Sequence, residues 1–283
     1  MRNEKCKICG SGNLNKTGNT VLQDFFKCGE CGVMFNASPC PGRCDGKEDG
    51  NKKYSSVAED IRVFQKKLFR WRFNRILSQL PKGKLLDIGC STGCFIEVGK
   101  EFGWETSGID VSEEACAVAE KIDGARISCG TLEESKFGDG EFSLINMSHL
   151  LEHIGEPHIF MKEVNRVLSP RGAVLIEVPN ERFFLIRVLI YSILGRVFKG
   201  ITYKPDENHI FYYTPASLRI LIESSGFKVI SLKAEGFSRP GRYEMTTMGM
   251  GKSAQIFLKA LSLIKADELI GMGHYIIALA VKG

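Results

Sequence analysis

Four cysteines near the start of the chain have the type and spacing of a metal site. Cys6-Lys7-Ile8-Cys9-Gly10 and Cys28-Gly29-Glu30-Cys31-Gly32 are two C-x-x-C-G turns separated by 18 residues. Each turn sets two thiolates side by side, and Cys6, Cys9, Cys28 and Cys31 together offer four soft ligands. That set suits structural Zn2+ in a closed site with no coordination position left for chemistry. A segment this short cannot fold on apolar burial alone, so the metal would carry much of its stability. A redox dithiol is the competing reading. A second constellation is KLLDIGCSTGCFIEVGKEFGWETSGID, from Lys84 to Asp110. Its glycine turn, Gly89-Cys90-Ser91-Thr92-Gly93, precedes a helical pattern, and an acid, Asp110, follows about 20 residues after the turn. Glycines let backbone approach a ligand closely, a helix N-terminus presents free N–H groups, and the acid can accept both hydroxyls of a ribose. Three histidines, His149, His153 and His209, are candidate proton acceptors. His149, Glu152 and His153 also stand at i, i+3 and i+4, which on a helix would gather three metal ligands on one face.

These groups need elements to hold them. Leu85-Leu86-Asp87-Ile88 and Ser107-Gly108-Ile109-Asp110 read as strands around the glycine turn, and residues 83–180 continue as alternating strands and helices. That order predicts an α/β fold: a parallel sheet with helices on both faces, its ligands lying beyond the carboxyl ends of the strands. Val57 to Leu80 carries apolar residues at helical spacing, with Arg62, Lys66, Lys67, Arg70, Arg72 and Arg75 between them. Its basic face is a solvated surface or a grip for phosphates. Residues 39–55, rich in Pro, Gly, Asp and Lys, read as a linker, and Cys40 and Cys44 within it are too few for a second metal. Thr214-Pro215 starts a helix that stops at Ser225-Gly226, Phe227 to Leu232 is a strand, Ile256 to Ile270 is helical, and His274 to Val281 is a closing strand. Phe183 to Phe198 (FFLIRVLIYSILGRVF) is the most apolar stretch, short for a membrane span.

The turn D-I-G-C-S-T-G departs from the dinucleotide form G-x-G-x-x-G. It resembles motif I of the class I S-adenosylmethionine-dependent methyltransferases, D-x-G-x-x-x-G. The resemblance continues in order through Cys129 to Glu133, through Phe142 to Ile154 (FSLINMSHLLEHI), through Val167 to Asn180 (VLSPRGAVLIEVPN) and through Asn208 to Leu218 (NHIFYYTPASL). Ser143 and Arg171 depart from the family pattern. The resemblance implies a Rossmann-like seven-stranded sheet over residues 56–283, with a lid-like insertion at 181–205 and a small zinc-ribbon-like unit at 1–38. It assigns S-adenosylmethionine to Asp87, Gly89, Cys90 and Gly93 around the methionine part, to Asp110 at the ribose, and to Val111, Thr131 and Leu132 near the adenine. His149 is the first choice of base and His209 the second, with His153 structural. The H-x-x-E-H run resembles the E-x-x-E-H metal site of ubiquinone-pathway O-methyltransferases, His149 replacing the first Glu.

The chain of 283 residues has net charge +5, and its basic excess is N-terminal: 16 of 38 Lys/Arg but 8 of 33 Asp/Glu lie in residues 1–82. The implied reaction is methyl transfer to a small-molecule acceptor: a sugar, lipid-linked or secondary-metabolite hydroxyl or carbon. An rRNA or tRNA methyltransferase whose basic zinc unit grips phosphates is the alternative. The apolar 183–198 stretch is a lid or a lipid contact. Cysteine usage and Met1-Arg2-Asn3-Glu4-Lys5, which carries no secretory pattern, suit a cytoplasmic location.

Overall fold

The computed structural model describes residues 5–16, 25–36, 59–181, 209–236, 239–242, 244, 259 and 273–283. The linker with Cys40 and Cys44, the insertion beyond Glu181, and the 256–270 helix apart from Lys259 lie outside them. A seven-stranded sheet forms the centre. Its strands are β4 (Lys84–Ile88), β5 (Glu105–Asp110), β6 (Arg126–Cys129), β7 (Phe142–Ser148), β8 (Leu168–Pro179), β10 (Phe227–Glu235) and β11 (Tyr275–Lys282), in spatial order β10-β11-β8-β7-β4-β5-β6. β11 is antiparallel to both neighbours, and the pairs from β8 through β6 are parallel. The near-continuous apolar runs of β4 and β7 fit strands buried on both faces. The strand order reverses between β4 and β7, so the crevice falls at their carboxyl ends.

Helices cover both faces. On one lie α1 (Glu59–Arg75) and α2 (Cys94–Glu101), packing Phe73, Phe95 and Val98 with Leu85, Leu144 and Trp104. α1 ends five residues short of the expected Leu80, and Ile76, Leu77 and Leu80 pack on the same core from a turn. Opposite lie α4 (Pro157–Val167) and α5 (Pro215–Ser224). Both begin with Pro in the first turn, where no N–H is needed. Thr214 caps α5 in a reciprocal box with Ser217, as the Thr-Pro pair foretells. α3 (Glu113–Ala119) is capped by Ser112. The S-P-R-G segment is a bulge in β8, not a free turn: Phe142 pairs with Leu168 but Leu144 pairs with Ala173.

Gly108 shows how tightly β5 meets α2. A Cβ there would stand 2.4 Å from Ile96 Cδ1 and 2.9 Å from Cys90 Sγ. Gly108→Ala should therefore overpack the site and destabilise the protein by about 1–3 kcal/mol, read as a lower denaturant midpoint. An unchanged midpoint would mean that Ile96 and Cys90 yield freely.

A second sheet, fully antiparallel, joins β1 (Leu14–Lys16), β2 (Phe25–Cys28), β3 (Met34–Asn36) and β9 (Phe211–Tyr212). Its fourth strand thus comes from the far half of the chain. Cys6, Ile8, Cys28, Cys31, Val33 and Phe35 share one buried cluster with Leu151, Phe160, Ile210 and Leu218.

Candidate active site

The glycine turn after β4 lies where the sheet order reverses. Gly89, Ser91 and Gly93 have φ of 73°, 48° and 82°. For Ser91 this left-handed backbone is strained, and such strain gathers at functional sites. Asp110 ends β5 facing the turn: its Oδ2 accepts from the Ser91 N–H at 2.8 Å and its Oδ1 from the Ser112 N–H at 2.9 Å. A carboxylate has about four acceptor sites, so two remain for a ribose. Asp87 is buried and accepts from Asn146 Nδ2 at 2.6 Å. Burial pushes its carboxyl up to about 7; Asn146 works against this and the nearby Asp110 charge adds to it. This acid therefore ties β4 to β7. Cys90 packs its side chain with Ile96 and Ala119, while its N–H donates to Ile109 O at 3.1 Å and its carbonyl accepts from the Gly93 N–H at 2.9 Å. Beyond β6, Gly130 N–H donates to Asp110 O at 2.9 Å, and the Thr131 N–H donates to Glu134 Oε2 at 2.9 Å. Leu132 is buried beside them and Val111 half-buried next to Asp110.

Arg62 on α1 was legible in the sequence only as part of a basic face. It donates to Thr92 Oγ1 at 2.7 Å, to Thr92 O at 3.2 Å and to Glu97 at 2.9 Å, and so pins the glycine turn to the preceding helix.

The histidines follow β7. His149 has φ 57° and donates its N–H to Glu177 O at 2.9 Å. Its Nδ1 lies 3.3 Å from Glu152 and its Nε2 3.4 Å from Glu177. Burial opposes the charged ring, but the Glu177 and Glu152 carboxylates outweigh it and push His149 up to about 10. A carboxylate at each nitrogen thus favours the protonated ring. Its stabilising contribution is complete below about 6.5 and fades as pH rises through about 10. The stability gap between wild type and His149→Gln should therefore shrink from pH 6.5 to pH 10 in denaturant titrations; a constant gap would show that the ring is neutral.

Glu177, which no motif singled out, is the hub of this wall. It lies 2.6 Å from Arg72, pairs with Arg242, and is buried with both. Arg242 also stacks 3.6 Å from the Tyr275 ring centroid, and that ring meets His149 edge-on. Arg72 and Arg242 outweigh burial and hold Glu177 well below the usual carboxylate range.

The i, i+3, i+4 metal trio does not form as expected. Leu151–His153 is one 3₁₀ turn, and His149 faces Glu177. Glu152 and His153 instead meet His209, with one ligand atom from each within 4.8 Å of the others. The His153 and His209 rings stand 4.9 Å apart.

At the other sheet the four N-terminal sulfurs also lie within 4.8 Å of one another, Cys6 to Cys31 at 3.7 Å and Cys9 to Cys28 at 3.6 Å. A tetrahedron of sulfurs about 2.3 Å from Zn2+ has edges of about 3.8 Å, so the donor set fits the ion. The Cys31 thiol draws Cys6 down to about 5, giving a thiolate ready to bind it.

Comparison with known proteins agrees with this geometry. The chain is similar to a ubiquinone biosynthesis O-methyltransferase of Methylococcus capsulatus, at 23% identity over 63% of this chain and 77% of that protein. It is similar to a demethylmenaquinone methyltransferase of Staphylococcus aureus, at 27% identity over 52% and 68% respectively. Among solved structures it shares the fold of a Thermotoga maritima protein described as an S-adenosylmethionine-dependent methyltransferase and possible histamine N-methyltransferase, with TM-score 0.52, 19% identity, and coverage of 81% of this chain and 97% of that one. A family profile described as methyltransferase domain matches residues 61–232, and with that match the chain belongs to the S-adenosylmethionine-dependent methyltransferases.

Proposed function

We propose that this methyltransferase acts on a small molecule, at a hydroxyl or carbon, with Asp110 and the Gly89–Gly93 turn holding the cofactor and His209 taking the acceptor proton. Bound S-adenosylmethionine supplies a methyl group already activated on sulfonium. The protein's task is then to orient and deprotonate. Asp110 fixes the ribose, Val111, Thr131 and Leu132 flank the adenine, and Asp87 keeps the turn in shape. His209 sits with His153 and Glu152 near the carboxyl end of β7. His149, charged between Glu152 and Glu177, stiffens that wall. The relatives named for ubiquinone biosynthesis and for demethylmenaquinone favour an acceptor of the same small-molecule class. In the same reading the Cys6, Cys9, Cys28 and Cys31 set holds a structural Zn2+.

The observation that favours a small molecule over RNA is how α1 uses its charge. Arg62 and Lys66 meet Glu97, Lys67 meets Glu244, Arg70 meets Glu101, and Arg72 is buried on Glu177. Charges neutralised at such range leave little field for a phosphate chain. Among the described residues no helix is long and apolar enough to cross a membrane.

Methyl-labelled S-adenosylmethionine and a dialysed host extract test the reading. Label in the organic or small-polar fraction supports it. Label in RNA overturns it and returns the grip on phosphates to the N-terminal region.

A further inference from the structure

Residues 209–214 form a strap between the four-cysteine unit and the acceptor wall. On the outer side, β9 pairs with β3 (Met34 with Tyr212, Phe35 with Phe211), and the Asn36 N–H donates to Ile210 O at 3.1 Å. Phe25 meets Tyr212 edge-on at 5.1 Å. Thr214 Oγ1 donates to Cys31 O at 3.0 Å, so Cys31 offers sulfur to the metal site and its carbonyl to the strap. On the inner side, the Ile210 N–H donates to Glu152 O at 2.8 Å, and Tyr213 Oη donates to Leu151 O at 3.4 Å. His209 heads the strap, its ring 4.9 Å from His153 and 5.7 Å from Tyr212. Two further ties fasten the knuckles beside it: Lys7 Nζ donates to Gly155 O at 3.2 Å, and His158 Nε2 lies 3.0 Å from Ile8 O. None of these ties touches the cofactor turn.

We propose that the four-cysteine unit positions the acceptor wall: metal in the knuckles fixes β3 and the Cys31 carbonyl, these fix the strap, and the strap sets His209. The proposal rests on the Zn2+ reading of the four cysteines and extends it from a staple for the N-terminus to a condition for an ordered acceptor side. Metal loss or thiol oxidation then loosens residues 209–214 while the cofactor half stays folded.

Hydrogen exchange on the full chain, before and after stripping metal with a chelator, tests this without knowledge of the acceptor. Metal analysis of the purified protein comes first; a chain without bound metal overturns the Zn2+ reading itself. Given metal, removal should raise exchange over 209–214 by about tenfold or more, leave 84–110 protected, and change S-adenosylmethionine affinity by less than about twofold. Asn36→Pro, which removes the donor to Ile210 but no cysteine, should reproduce the change at 209–214 with metal content intact. Unchanged exchange at 209–214 overturns the proposal. So does equal loss of protection over 84–110, which would make the unit a staple for the whole fold.

Discussion

Glu177→Gln should cost about 3–5 kcal/mol of stability, seen as a large fall in the denaturant midpoint, because it leaves two guanidinium groups buried beside a neutral amide. Arg72 is 0% exposed and Glu177 2%. Arg72 also lies 3.8 Å from Glu235, too far to stand in for a contact at 2.6 Å. The charge of Glu177 has three claimants: Arg72, Arg242 and the His149 ring. Removing it therefore loosens α1, β8 and the acceptor wall together. Since burial is overcome and Glu177 is held below its ordinary value, its contribution is present above about 4.5 and is lost as acid protonates it. A loss under about 1 kcal/mol would mean that water or another acid takes its place.

Asp110→Ala should weaken S-adenosylmethionine binding about a hundredfold or more by titration calorimetry. Two hydrogen bonds from ribose hydroxyls to a charged acceptor are worth about 1.5–3 kcal/mol each. The substitution also frees the Ser91 and Ser112 N–H groups that shape the turn. Asp110→Asn keeps the size and one acceptor, and should fall between. If Asp110→Ala binds within about threefold of wild type while remaining folded, the ribose lies elsewhere.

The glycine turn and the strands around it were readable because their signals are local. Gly89, Gly93 and Asp110 sit within one βαβ unit, and apolar runs mark β4, β7 and β8. The cluster of Cys6, Cys9, Cys28 and Cys31 was readable for the same reason: each C-x-x-C is its own turn, and the sulfurs converge as expected. The acceptor wall was harder. His149 reads as a free base until Glu177, 28 residues on, is brought against its second nitrogen. His153 and His209 are far apart in sequence, and their rings meet where the Ile210 N–H reaches Glu152 O. The basic face of α1 reads as a solvated surface or a phosphate grip until its acids arrive from α2 and from Glu244. Pairings across tens or hundreds of residues leave no periodic mark.

The pairing of Met34 with Tyr212 also has a temporal side. A ribosome adding about 5–20 residues per second needs on the order of ten seconds or more to synthesise the chain between those two strands. Through that interval β3 has no partner on its outer edge, and an open edge invites pairing with other chains. The knuckles are complete from the outset, so metal captured early would hold β3 in a short, shaped hairpin until its distant partner emerges.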